Sequence, residues 1–360
     1  MHRIDNFNAG PAALPLPVLE QIQREITDYN YTGMSVFELS HRSDTYESIQ
    51  AKTEARLREL LSIPDGYRVL FLQGGASLQF AMIPMNFLGR DQTAAYVLTG
   101  VWSEKAVKEA QQFGAVRCDE QAKAGGYRTI PAHLDVGLLE GAAYAHITSN
   151  NTIYGTQWSS FPKVNVPLIA DMSSDILSRP IPVQDFSLIY AGAQKNLGPA
   201  GLTVVIVREE LLAKANQHVP TMLDYNVHAK NNSMYNTPPT FSVYVMGLVL
   251  EWIAEQGGVT AIERQNAAKA ASIYSVIDEH PEFYVGHAEV AARSAMNLTF
   301  RLRDEALEKK FLAEAKAKVF VGVKGHRSVG GCRVSLYNAV PAAAAHRFAE
   351  FMQAFARQHQ

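Results

Sequence analysis

Cysteine is nearly missing from this chain of 360 residues: there are two, Cys118 and Cys332. Two cysteines make no bridge framework and no zinc-ligand spacing, and they point away from an oxidising compartment. The 11 histidines are scattered, with no HExxH pair or similar arrangement, so no metal is expected. No apolar run is long enough to span a bilayer, and Met1-His2-Arg3-Ile4-Asp5-Asn6 holds no apolar signal core. Charge of one sign is lacking as well. The net charge is −2, without a long basic or acidic run, so neither nucleic acid nor a membrane surface is an expected partner. A soluble cytoplasmic protein is the expectation.

Apolar residues make up 47% and charged residues 19%, enough for a substantial core. The length suits one large and one smaller domain. Helical apolar spacing runs over residues 16–30, 45–61, 102–113, 243–254 and 259–277, and over 78–88 with Pro84 interrupting. Short apolar strands are expected at 69–72, 94–98, 143–148, 166–170, 187–190 and 202–207. This alternation predicts an α/β fold with a mainly parallel sheet covered on both faces. Past about residue 260 the pattern changes to α+β, with strands at 296–301 and 333–336 and helices at 307–317 and 342–356. The expected division is a large domain over 16–260 and a small C-terminal domain over 261–360, joined by an N-terminal segment, 1–15.

Ligands of open α/β sheets collect where strands end. Four expected strand ends carry polar or glycine residues: Gln73 to Ser77, Ser149 to Thr152, Asp171 to Asp175, and Gln194-Lys195-Asn196. Lys195 stands between one apolar run and a Gly/Pro-rich turn that leads straight into the next. A lysine held there is poorly hydrated; burial lowers its pKa, and a neutral amine can attack an aldehyde to form a Schiff base. A lysine at a strand end that simply faces solvent is the other reading. Gly74-Gly75-Ala76-Ser77 opens a helix and could cradle a phosphate. It matches neither a Walker loop nor a dinucleotide fingerprint, and an ordinary tight turn is equally allowed. Asp171 could hold a protonated ring nitrogen or cap a helix. Trp102 could stack on a flat ring or belong to the core. His-Arg-Ser occurs twice, at 41–43 and 326–328, and Arg333 follows a glycine pair. Arginine forks suit carboxylate or phosphate; a single arginine is by default a solvated charge.

Taken together, Phe7-Asn8-Ala9-Gly10-Pro11-Ala12, Glu38-Leu39-Ser40-His41-Arg42, Phe71 to Ser77, Ala191 to Asn196, Tyr235 to Pro239 and His326 to Arg333 give a nearly end-to-end likeness. The chain resembles the phosphoserine aminotransferase family, class V pyridoxal-phosphate enzymes of the aspartate-aminotransferase-like fold (fold type I). The resemblance implies pyridoxal 5'-phosphate as cofactor, with Lys195 as the Schiff-base lysine and proton shuttle and Asp171 on the pyridine nitrogen. It places Trp102 and Thr152 against the ring, and Ala76, Ser77 and Gln194 on the phosphate. Asn236 and Thr237 would reach that phosphate from the neighbouring subunit of a homodimer with shared sites. Arg333 would hold the substrate α-carboxylate, and His41, Arg42, His326 and Arg327 the distal anion, a carboxylate in glutamate and a phosphate in phosphoserine. Ala9 stands where a serine is common, so any contact there would come from its backbone. Some members carry an arginine where this chain has Ser77, and their phosphate contact is missing here. The implied reaction exchanges the amino group of glutamate with 3-phosphohydroxypyruvate in serine biosynthesis; many relatives also take a phosphohydroxythreonine substrate of pyridoxine biosynthesis. Rival readings are an alanine–glyoxylate aminotransferase, a cysteine desulfurase of the same fold group, or a binding protein that kept the fold.

Overall fold

The computed structural model describes residues 3–359; Met1, His2 and Gln360 lie outside the described residues. A seven-stranded sheet runs through the larger part of the chain. Its strands are β1 (Tyr67–Leu72), β2 (Thr93–Val97), β3 (Ala115–Asp119), β4 (Ala142–Thr148), β5 (Leu168–Asp171), β6 (Leu188–Gly192) and β7 (Thr203–Arg208). They lie side by side in the order β1-β7-β6-β5-β4-β2-β3. Every residue of β5 and β6 is buried, as expected of continuous apolar strands covered on both faces. One apolar core, including Leu57, Ala170, Ile189 and Leu250, fills one face. A second, including Phe80, Tyr96, Ile169 and Tyr190, fills the other.

All pairings are parallel except those of β7, which is antiparallel to both β1 and β6. The cause is the short link from β6 to β7. A parallel partner needs a crossover of a dozen or more residues, whereas residues 193–202 only turn the chain back. Ala193 N donates to Leu202 O at 2.9 Å to close that link. Lys195 sits inside it.

The C-terminal part carries a three-stranded antiparallel sheet, β8 (Tyr284–Gly286), β9 (Asn297–Leu302) and β10 (Cys332–Ser335). It shares one core with helices Gly258–Glu279, Glu305–Ala317 and Ala342–His359 through Ile273, Phe300, Phe311 and Phe348. Near the N-terminus, Asp5–Asn6 pairs with Phe320–Val321, and Phe7 is buried in the same core. The expected first helix ends early. It spans Leu16–Glu25, and a short 3-10 turn follows with Asn30 at φ 47°. Strand Tyr284–Gly286 has too few apolar residues to show in sequence. No described helix is long and apolar enough to cross a membrane.

A buried lysine holds the loop by which the C-terminal part meets the sheet. Lys269 is 2% exposed, and its Nζ donates to the carbonyls of Leu336, Tyr337 and Val340 at 3.1, 2.9 and 3.2 Å. The loop thus held presents Asn338, whose N–H donates to Asn196 Oδ1 at 3.0 Å, next to Lys195. Burial drives the Lys269 amine down to about 7. Its folded value lies below its unfolded one, so between about pH 7 and the ordinary lysine range near 10.4 the unfolded chain binds the extra proton. This site therefore adds stability as pH rises through that window. Lys269→Met should lower stability at pH 7 by about 1–3 kcal/mol through three unpaired carbonyls, and should flatten the rise in stability from pH 7 to pH 9. Urea unfolding at both pH values reads the slope; an unchanged slope would place the titration elsewhere.

Candidate active site

The parallel strands end on one edge of the sheet, and there a cavity of about 360 Å³ opens. Residues from all four polar strand ends line it: Ala76 and Ser77, Thr152, Asp171, and Gln194 with Lys195. Trp102, Ala9, His326 and Arg333 complete the expected set that meets there. Four elements distant in sequence converge because each strand delivers its last residues to the same edge.

Gly74 (φ +86°) and Gly75 (φ +64°) turn β1 into the helix Gly75–Phe87. A Cβ on Gly74 would lie 2.4 Å from Leu78 Cδ2, so the turn demands glycine on space as well as on φ. Ala76 and Ser77 sit in the first turn of that helix, where backbone N–H groups are unpaired and favour an anion.

Lys195 Nζ donates to Thr152 Oγ1 at 2.9 Å and lies 6.0 Å from the Trp102 ring centroid. Burial drives its amine down to about 8; the Arg333 charge pushes the same way, and Asp171 and Asp175 oppose it. The solvated-lysine reading therefore fails. Asp171, 6% exposed, accepts from Ser173 N at 2.9 Å. Burial pushes its carboxyl up, against hydrogen bonds from Ser173, the Lys195 charge and a hydrogen bond from Tyr190. It caps a turn and lines the cavity at once, so the capping role leaves its carboxyl placed for a ligand as well. Arg333, on β10, donates from Nη1 to Thr152 O at 3.3 Å. Burial lowers its pKa, and its Nε has no partner. Trp102 Nε1 and Thr148 Oγ1 are likewise buried without partners. Three polar atoms on cavity-lining residues thus lack a partner within the chain.

Five expected residues lie outside this cavity. His41 and Arg42 occupy the turn before helix Asp44–Leu61, with Arg42 exposed. Arg327 is exposed beside His326. Asn236 is half-buried and Thr237 exposed; Thr237 O accepts from Gln73 Nε2 at 3.1 Å. Sequence reading missed Phe80, Thr148, Asn150, Ile153, Ser173 and Ser174, which also line the cavity. Thr148, at the very end of β4, and Asn150 and Ser173 fall in or beside strand-end clusters already noted; Phe80 and Ile153 carry no such signal. Cys332 is 1% exposed, and burial pushes its thiol well up, as it does more mildly for Cys118. Neither suits a desulfurase nucleophile.

Lys195, Asp171 and Arg333 thus meet on one cavity at the strand ends of a mainly parallel sheet, and the family model "Aminotransferase class-V" matches residues 4–348. The phosphoserine aminotransferase of Geobacillus kaustophilus is 59% identical over 358 residues, 99% of each chain. The solved phosphoserine aminotransferase of Bacillus circulans subsp. alkalophilus superposes with TM-score 0.95 at 53% identity, covering 99% of both chains. That of Trichomonas vaginalis, with PLP bound, gives 0.89 at 40% identity over 98% of this chain and 100% of its own. The chain belongs to the phosphoserine aminotransferase family.

An amine that titrates near 8 has a definite kinetic signature. With pyridoxal phosphate as an aldehyde probe, capture by the apoprotein should accelerate about 5-fold from pH 7 to 8 and level off above about pH 9, following the neutral amine. Stopped-flow absorbance measures it; a rise still about 5-fold or more between pH 9 and 10 would mean an ordinary, hydrated lysine.

Proposed function

We infer that this chain transfers an amino group between glutamate and 3-phosphohydroxypyruvate, giving 2-oxoglutarate and O-phosphoserine, with pyridoxal 5'-phosphate as cofactor. The observation that carries the reading is that Lys195 and buried Asp171 share one cavity with Arg333; the kinship with phosphoserine aminotransferases supplies the substrate. The residues fit the cofactor. The helix start at Ala76–Ser77 offers N–H groups to a phosphate, Gln194 adds an amide, and Asp171 offers a charge to a ring nitrogen. Trp102 supplies an aromatic face with an unpartnered N–H.

When bound, pyridoxal phosphate supplies an aldehyde for the amino group and a ring that accepts electrons. The protein's part is positioning and proton transfer. Lys195, in the neutral form that its lowered pKa makes accessible, would take the proton from the substrate Cα. Thr152 orients the amine. Asp171 would hold the ring nitrogen of the bound group. Arg333, desolvated and with Nε free, grips the α-carboxylate.

The distal phosphate or γ-carboxylate is assigned to His326, Arg327, His41 and Arg42. A homodimer with shared sites is proposed for a physical reason. His41, Arg42, Asn236 and Thr237 are exposed or half-buried outside their own chain's cavity, and a second copy is what would bring such residues to a site. The division into 16–260 and 261–360 is proposed from the separate core around β8–β10, and a cytoplasmic location from two unpaired cysteines.

Transamination of 2-oxoglutarate should run at least about 100-fold faster in kcat/KM with phosphoserine than with serine or alanine. Arg42→Ala should cost phosphoserine about 10-fold or more while leaving alanine nearly unchanged. Equal losses would remove Arg42 from the distal-anion pocket. Borohydride should fix the cofactor onto Lys195, and Lys195→Ala should abolish the adduct and the activity; an adduct at another residue would contradict the assignment.

A further inference from the structure

Beside Asp171, among residues that do not line the cavity, lies a polar chain that the reaction above does not use. Tyr190 on β6 stands opposite Asp171 on β5 in the sheet register, and its hydroxyl favours the charged form of the carboxylate. The same hydroxyl is 2.9 Å from His146 Nε2, which reaches it from β4. Tyr190 is 0% and His146 1% exposed. The imidazole stacks on Tyr96 at 4.8 Å, and Tyr96 bonds the Tyr144 hydroxyl at 2.9 Å. Asp171, Tyr96, Tyr225 and Tyr144 are the titratable neighbours of Tyr190. Two polar side chains buried in an apolar core need a reason.

The protons can be placed by counting donors. An ionised carboxylate only accepts, so it favours the arrangement in which the single Tyr190 proton turns to Asp171. In that arrangement the Tyr190 oxygen accepts from His146, which puts the imidazole proton on Nε2. Nδ1 is left as a bare lone pair, and Nδ1 is the His146 atom without a partner. Burial keeps this histidine neutral, holding it down to about 3, so it has one N–H and no more.

We propose that Tyr190 and His146 are positioning residues for the transamination: His146 donates through Nε2 to Tyr190, which turns its only proton onto Asp171 and so keeps that carboxylate charged and aimed at the cofactor's ring nitrogen. The inference rests on the pyridoxal-phosphate reading. Without the chain, burial wins at Asp171, and the proton it shares with the ring nitrogen moves toward the carboxyl. A less positive ring withdraws less charge, which leaves the Lys195 nitrogen more basic.

The test is the pH midpoint of the visible absorption band of holoprotein, which reports the proton on the Lys195 nitrogen. Tyr190→Phe should raise that midpoint by about 0.5–1 unit and lower kcat about 10-fold or more, with KM for glutamate little changed. His146→Leu should shift it the same way, whereas His146→Gln, whose amide N–H can replace Nε2–H, should stay near wild type. Tyr144→Phe loses a buried hydrogen bond in the same core and should lower Tm without moving the band. Should Tyr190→Phe not fold, the His146→Leu and His146→Gln pair decides. A band present but unmoved in Tyr190→Phe and His146→Leu, with Tm falling as in Tyr144→Phe, would overturn the relay and leave the cofactor reading intact. A wild-type protein with no band would overturn both.

Discussion

The structure depends on keeping a charge-bearing amine and a carboxylate in a place with little water. Lys195 and Asp171 lie at the ends of neighbouring strands, and burial is the largest influence on both. It disfavours the charged form of both. The amine is pushed toward neutrality, which suits the nucleophilic role proposed for it; the carboxyl is pushed toward neutrality too, which its proposed role at a ring nitrogen opposes. The donors around Asp171 resolve the conflict. Ser173 N–H bonds the carboxylate, and the Tyr190 hydroxyl and the Lys195 charge favour its ionised form. Lys195 receives only Thr152 as a partner. One degree of burial thus serves two groups with opposite needs because their hydrogen bonding is unequal.

The β6–β7 link makes this placement possible. A lysine on a long crossover would be free to reach water. Residues 193–202 turn back at once, and the Ala193–Leu202 bond closes the turn. Asn196 is then gripped from below, donating to Ile176 O at 3.1 Å, and from the C-terminal part by Asn338. Gly10 crosses just above, so near that a Cβ there would lie 3.4 Å from Lys195 Cγ. The lysine stem is fixed from three directions, and only its end has freedom.

What the sequence makes legible follows from this arrangement. Strand ends are readable because an apolar run that stops at polar or glycine residues is a local pattern. Hence Ala76, Ser77, Thr152, Asp171, Gln194 and Lys195 could be picked out before any contact was known, and the cavity gathers all six. Reversal of β7 is implicit in the shortness of residues 193–202, yet apolar alternation alone reads as one more parallel strand. Phe80 and Ile153 look like core residues from sequence, since lining a cavity and filling a core demand the same apolar side chain. His146 and Tyr190 are hidden for another reason. They sit inside strands whose apolar periodicity they only interrupt, and their meaning arises from register across β4, β5 and β6, which no local pattern encodes.

His41, Arg42, Asn236 and Thr237 mark a different boundary. Each belongs to a motif of the family, yet none borders the cavity of its own chain. A single chain buries residues that pack within it; residues meant for a neighbour's site must stay exposed until the neighbour arrives. Arg42 on an open turn and Thr237 near the glycine turn at Gln73 satisfy that condition. Exposure, which for an isolated arginine reads as mere solvation, becomes the expected state of a residue whose partner lies on another copy. The same condition explains why the distal-anion cluster is split. Its His326 borders the cavity while Arg327 beside it is exposed, as the proposed homodimer requires of a cationic end that a second copy completes.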